Sequence, residues 1–290
     1  MTGLRRSWLL ASLLVAAPAW AQLSSLTASA VVTSVMFVPE PREDMSRPTD
    51  LVLTDVPAAA ALQQIEDRVQ TSNGGSAEVK FLGRIGLLKA YAAASHPDCC
   101  TIGGQLVTTG FSNATVDAGF TDTVAVTGAG LAAGTPVQYT VGLRISGSIS
   151  SPSFEMGGHI GVFGVAEVRL EDTTTREIVT LRWNAANQAP GLFALTLNTQ
   201  VGHQLGIIGT LNIGASIDSA AKTARSGVAD FDNTAVYTLA PSVAGLNTTG
   251  VSGTNFLAPV PEPASWAAML LGLAALGGVS RLRRSGLLAC

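Results

Sequence analysis

Alternation of apolar and polar side chains is the feature that most limits what this chain can fold into. Over residues 137–149, Val137, Tyr139, Val141, Leu143 and Ile145 fall on one side of an extended backbone, and polar or small residues fall between them. In 176–183, Glu177, Val179, Leu181 and Trp183 oppose Ile178, Thr180 and Arg182. In 120–126, Phe120, Asp122, Val124 and Val126 oppose Thr121, Thr123 and Ala125. A period of two with one apolar face suits antiparallel sheets wetted on one side. Further strands are expected over 31–38, 85–95, 111–116, 162–170, 192–199, 204–217 and 228–239. Residues 39–48 read as a proline-bounded loop. Gly- and Pro-containing stretches such as Thr127-Gly128-Ala129-Gly130 and Ala189-Pro190-Gly191 punctuate the strands.

About nine or ten strands at this spacing indicate an all-β body, an antiparallel β-sandwich of jelly-roll type. One short helix is expected over 57–70. Asp55 suits its cap, Pro57 its first turn, and Leu62, Ile65 and Val69 recur at helical spacing.

The two ends differ from this body. Arg5 and Arg6 precede an apolar run over 8–18, and Ala19-Trp20-Ala21 forms a small-x-small cleavage site, so residues 1–21 read as a signal peptide. The run is shorter than the roughly 20 apolar residues that span a bilayer. At the other end stands Pro261-Glu262-Pro263, then Trp266, an apolar segment over 267–279, and Arg281, Arg283 and Arg284. The prolines keep the tripeptide extended. The apolar segment is expected to cross a thin bilayer as a transmembrane helix, with the arginines as a cytoplasmic membrane stop.

This order of motif, apolar helix and arginine cluster resembles the PEP-CTERM sorting signal of proteins exported by Gram-negative bacteria, many of them makers of extracellular polysaccharide. The resemblance covers residues 260–285. It implies that an exosortase recognises Pro261, Glu262 and Pro263 and processes the tail. It also implies passage across the inner membrane, a transient anchor, and final residence on the cell surface or in the extracellular matrix. Ser285-Gly-Leu-Leu-Ala-Cys290 extends past the arginines, further than tails of that family usually run. The stretches 120–128 and 229–239 resemble strands of the β-rich ectodomains that often precede such tails. On this reading the ectodomain is 22–257.

Charge narrows the partners. Of 17 basic residues, five lie in the ends (Arg5, Arg6, Arg281, Arg283, Arg284), and of 20 acidic ones only Glu262 does. The body therefore carries 12 positive and 19 negative charges, a net of −7. That argues against nucleic acid, which needs a dense basic face. Charged residues make up only 13 % of the chain, against about 25 % in an average soluble domain.

Few residues suggest chemistry. His96-Pro97-Asp98-Cys99-Cys100 combines metal-ligand types, but adjacent cysteines lack the spacing of a zinc knuckle, and His159 and His203 are distant. Cys99 and Cys100 are candidates for a disulfide in an oxidising compartment. Asp230 and Asp232, with Asn233, offer oxygen ligands for calcium, although two aspartates two apart also suit a solvated strand face. Glu171-Asp172-Thr173-Thr174-Thr175 reads as a hairpin turn. Gly-x-Ser-x-Gly and His-Glu-x-x-His are absent from the sequence, and Gly128-Ala-Gly130 lacks the strand-to-helix context of a dinucleotide loop.

These features lead to an exported surface or matrix protein, structural or adhesive in an envelope or exopolysaccharide biofilm, with no catalytic role and no obligatory cofactor. The rivals are a calcium-dependent carbohydrate-binding module and a polysaccharide-modifying hydrolase, whose two carboxylates would meet only in the fold.

Overall fold

The structure is a computed structural model. It describes residues 24–37, 43–54, 62–71, 74–96, 101–102, 105–106, 109–150, 160–218 and 225–257. The expected signal peptide, the tail over 260–285, Cys99, Cys100 and His159 lie outside the described residues.

Every described element is a strand. In chain order they are β1 (Ser25–Phe37), β2 (Glu43–Thr54), β3 (Gln63–Gln70), β4 (Ser76–Arg84), β5 (Leu87–His96), β6 (Thr101–Ile102), β7 (Gln105–Leu106), β8 (Thr109–Ala125), β9 (Pro136–Ser150), β10 (Ile160–Asp172), β11 (Ile178–Asn184), β12 (Gly191–Gln200), β13 (Gln204–Asp218) and β14 (Arg225–Pro241). They form a six-stranded sheet ordered β11-β10-β13-β8-β1-β2 and a second six-stranded sheet ordered β12-β9-β14-β5-β4-β3, with β6 and β7 as a small separate pair. All pairings are antiparallel. The last strand, β14, thus sits in the interior of the second sheet, between β9 and β5.

The two sheets face one another across a shared core, and period-two alternation supplies both walls. Val137, Tyr139, Val141, Leu143 and Ile145 of β9 are all buried, as are Leu181 and Trp183 of β11. The β9 residues line the wall of the second sheet; Leu181 and Trp183 belong to the first, with Phe120, Leu170, Leu211 and Ile213. Aromatic rings join the layers. Phe120 of β8 meets Tyr237 of β14 edge-on at 4.9 Å between centroids, and Trp183 meets Phe231 at 5.5 Å. Each such contact adds about 0.5–1.5 kcal/mol beyond burial. Glycines make room for these rings. A Cβ on Gly209 would collide with the Phe120 ring and with Tyr237, and one on Gly147 or Gly164 with the Phe231 ring.

Three expectations are corrected. The helix over 57–70 is not formed: Gln63–Gln70 is strand β3, paired with β4. Ile65 and Val69 are both buried, and Leu62, the residue that would distinguish the patterns, is 46 % exposed. A spacing of four belongs to both a helix face and a strand face, so these two residues fit either. The proline-bounded loop over 39–48 is replaced from Glu43 onward by β2, in which Pro48 lies opposite Val31. β2 is an edge strand, where a proline that donates no ladder hydrogen bond is tolerated. Finally, 111–116 and 120–126 are one continuous strand, β8; Gly119 pairs with Thr27 and Thr210 without breaking it.

Candidate functional site

Buried carboxylates are the first place to look for chemistry, because leaving water is unfavourable unless their oxygens are fully bonded. Among the described residues two meet that condition. Asp122 and Asp172 face inward from β8 and β10, exposed by 2 % and 0 %.

Asp172 closes the β10–β11 hairpin. Its Oδ1 accepts the backbone N–H groups of Thr174 and Thr175, at 2.9 and 3.1 Å. Its Oδ2 accepts the Thr199 hydroxyl at 2.6 Å and lies 2.7 Å from His203 Nδ1. Facing an ionised carboxylate, Nδ1 is the nitrogen that carries the proton. Burial pushes the Asp172 carboxyl up, but the hydrogen bonds from Thr199, His203, Thr175 and Thr174 together outweigh it and hold it below the usual range. The turn ends on Arg176, a non-glycine residue at φ 68°. Its N–H bonds the Asp172 carbonyl at 2.7 Å, and Arg176 Nη1 bonds Glu171 Oε1 at 3.2 Å. The hairpin turn expected over 171–175 is therefore formed.

Asp122 fastens the end of the body. Ser252 donates both its backbone N–H, at 3.2 Å, and its hydroxyl to this carboxylate, and Thr123 N–H adds a third bond at 2.8 Å. Burial is the largest influence and raises the Asp122 carboxyl above its ordinary value despite these donors. Around this point residues 242–257 form a strap across the end of the sandwich. Tyr139 donates its hydroxyl to the Asn247 carbonyl at 2.8 Å, and Asn247 Nδ2 donates to the Ala125 carbonyl at 3.1 Å. Phe256 is buried and stacks on Phe120 at 6.2 Å. Gly250 passes so close to Asp122 that a Cβ there would strike its carboxylate.

Asp122 pairs with Ile207, which pairs with Leu170, two residues before Asp172. Strand spacing puts the two carboxylates' backbones about 12 Å apart. Each is committed to its own turn or strap. An Asp–His pair such as Asp172–His203 orients an imidazole in hydrolases, but a nucleophile must then stand beside the other ring nitrogen. Among the described residues Asp172 is the only hydrogen-bond partner of the His203 side chain.

Asp230 belongs to an outward row across the second sheet. Glu66 lies opposite Lys80, Lys80 opposite Tyr91, Tyr91 opposite Asp230, and Asp230 opposite Ser148. Lys80 contacts Glu78 at 3.0 Å and Glu66 at 3.9 Å, and sits 5.5 Å over the Tyr91 ring. Asp232 is exposed, in the bulge where β14 shifts register between Phe231 and Ala235. Its N–H bonds Asp230 Oδ1 at 3.1 Å. Burial, then Asp230, raise the Asp232 carboxyl, against Lys80 and Lys89, which lower it. The two aspartates thus share a mixed-charge surface. Among the described residues no three His, Cys, Asp or Glu side chains gather as metal ligands.

His96 is buried at the end of β5, its ring filling the space over Gly110, and His203 lies in the β12–β13 turn. Among the described residues, His96 and His203 are therefore not brought together, and the sequence-named residue that His203 meets is Asp172. The residues missed were Ser252 and Thr199. The signal lay in the pattern, which puts Asp122 on the apolar side of β8 and Asp172 in phase with the buried Leu170.

No family model and no curated protein matches the chain. Among solved structures, the enzymatically active domain of bacteriophage CBA120 tailspike protein 4 is similar over 57 % of this chain and 19 % of its own, at 12 % identity and a TM-score of 0.17. At that score the likeness carries no argument about fold or activity.

Proposed function

We propose that this chain is an exported surface or matrix protein whose β-sandwich is a structural or adhesive body, delivered by an exosortase-processed tail over 260–285. The observation that supports it most is the strap. Phe256, buried in the core, is followed by only four residues before Pro261-Glu262-Pro263. The body closes on itself just ahead of the sorting motif, as a cargo joined to a separate label would. Its outer faces also carry hydroxyl and amide pairs, such as Thr140–Thr196 at 2.9 Å and Gln138–Asn198 at 2.8 Å. Such uncharged polar ladders suit a hydrated polysaccharide matrix, the partner the reading implies. On this reading the protein crosses the inner membrane, is held briefly by its apolar segment, and then resides at the surface or in the matrix.

Mass spectrometry of both termini of the native protein tests this. A mature start at Gln22 and an end near Pro261 are expected; an intact tail would overturn the reading. Replacing Pro261 and Glu262 should also block surface release.

A second reading, a calcium-dependent carbohydrate-binding module, draws on Asp230 and Asp232 standing beside Tyr91. A glycan array run with and without chelator separates the two, because only the module would give chelator-sensitive hits. A jelly-roll connection is the finer topology we assign to the sandwich. Its consecutive strands change sheet from β8 to β9, from β9 to β10, and from β11 through β14.

A further inference from the structure

The sheets end in four edge strands: β2 and β11 in one, β3 and β12 in the other. Edge strands invite pairing with another chain, and natural proteins blunt them with charges or proline. β2 carries Glu43, Asp44, Arg47, Pro48 and Asp50; β3 carries Glu66, Asp67 and Arg68; β11 carries Arg182. β12 reads GLFALTLNTQ, ten residues without a charge or a proline. It pairs with β9 on one side and has no strand partner on the other among the described residues.

Apolar surface is left over at this edge. Leu195 lies opposite the buried Val141 and so faces the core, yet it is 39 % exposed; Leu192, opposite Arg144 on the outer face, is 64 % exposed. A strand added beside β12 would cover Leu195 and continue the core. The occupant can be argued from charge. Copies of a body with a net charge of −7 repel at most surfaces, and this uncharged edge is where two can approach without like charges meeting.

We infer that β12 is a self-association edge: two copies pair their β12 strands antiparallel about a two-fold axis, joining two six-stranded sheets into one. The inference is independent of the proposed function. Register follows from side-chain direction. Centring the axis on Leu195 sets it opposite the second copy's Leu195 and sets Phe193 opposite the second copy's Leu197, all on the core face. A shift of one residue would turn the second copy's core face outward.

Sedimentation equilibrium on the full chain in non-ionic detergent tests the inference. A reversible dimer is expected, and Leu195→Lys should weaken it on the order of 100-fold or more. A second measurement fixes the register. With Cys99, Cys100 and Cys290 replaced by Ser, Leu195→Cys should cross-link two copies on mild oxidation. Leu192→Cys, which this register sets opposite Asn198, should not. A monomer at every concentration, a dimer indifferent to Leu195→Lys, or equal cross-linking from position 192 would overturn the inference. A monomer whose β12 amides exchange slowly would also overturn it, by showing that the chain covers the edge itself.

Discussion

Ser252 donates its hydroxyl to Asp122 at 2.5 Å, across 130 positions of sequence and inside the protein. That bond and Phe256 hold the strap to the sandwich. Ser252→Ala removes the hydroxyl and leaves a buried carboxylate oxygen short of a donor, which costs about 1–3 kcal/mol. Denaturant melts should show this loss. Limited proteolysis should then cut within 242–257 before it cuts any strand.

Asp122 and Asp172 should respond to acid in opposite directions. The folded Asp172 carboxyl lies below its unfolded value of about 3.9, so its contribution is present above that pH and is lost as pH falls through the folded value. The folded Asp122 carboxyl lies above it, so its ionisation weakens the fold as pH rises through the folded value. Melting temperature against pH should therefore lose part of its acid-side fall in Asp172→Asn. Wild type should gain stability relative to Asp122→Asn as pH drops towards 4.

At the alkaline end the two buried tyrosines, Tyr139 and Tyr237, act together, while Tyr91 stands on the outer face. Burial pushes Tyr139 up to about 12, raises Tyr237 further, and raises Tyr91 as well. A raised folded value means stability is complete below the unfolded value of about 10 and is lost as pH rises beyond it. In Tyr91→Phe, phenolate absorbance should stay low until the protein unfolds, then rise with the loss of circular dichroism. Separate transitions would contradict this. Tyr237→Phe removes the 2.6 Å bond to the Thr210 carbonyl and should cost about 1 kcal/mol.

Glycines under rings are expected to resist substitution. Gly209→Ala forces a methyl group into Phe120 and Tyr237 and should destabilise by about 1–3 kcal/mol. Gly161, also on a strand, has no atom within 4 Å of where its Cβ would stand. Gly161→Ala should melt at or slightly above wild type, so the pair of melts separates crowding from strand propensity.

Chelation should leave the melting temperature unchanged if Asp230 and Asp232 are balanced by Lys80 and Lys89 rather than by calcium. A fall on adding chelator, restored by calcium, would favour the carbohydrate-binding reading.

Sequence periodicity revealed most of the β architecture because each inward residue of β9 and β11 is decided locally, by its own alternation. It failed where one pattern serves two structures. Ile65 and Val69 satisfy a helix and a strand equally, and only the tertiary pairing of β3 with β4 selects between them. Pro48 marks a loop in most contexts, and nothing near it announces that it will lie on an edge. The polar clusters were half legible. Asp122 stands among apolar residues on one side of its strand and Asp172 reads as part of a turn, whereas Ser252 and Thr199 reach them from positions that local sequence does not connect.

The interior position of β14 governs when the body can take shape. Its neighbours β5 and β9 are held apart until residues 225–241 arrive between them, so the second sheet stays in two pieces during most of synthesis. Contacts this distant in sequence form slowly. The second sheet of a nascent chain is therefore completed only once residues 225–241 have emerged, however early its other strands are made.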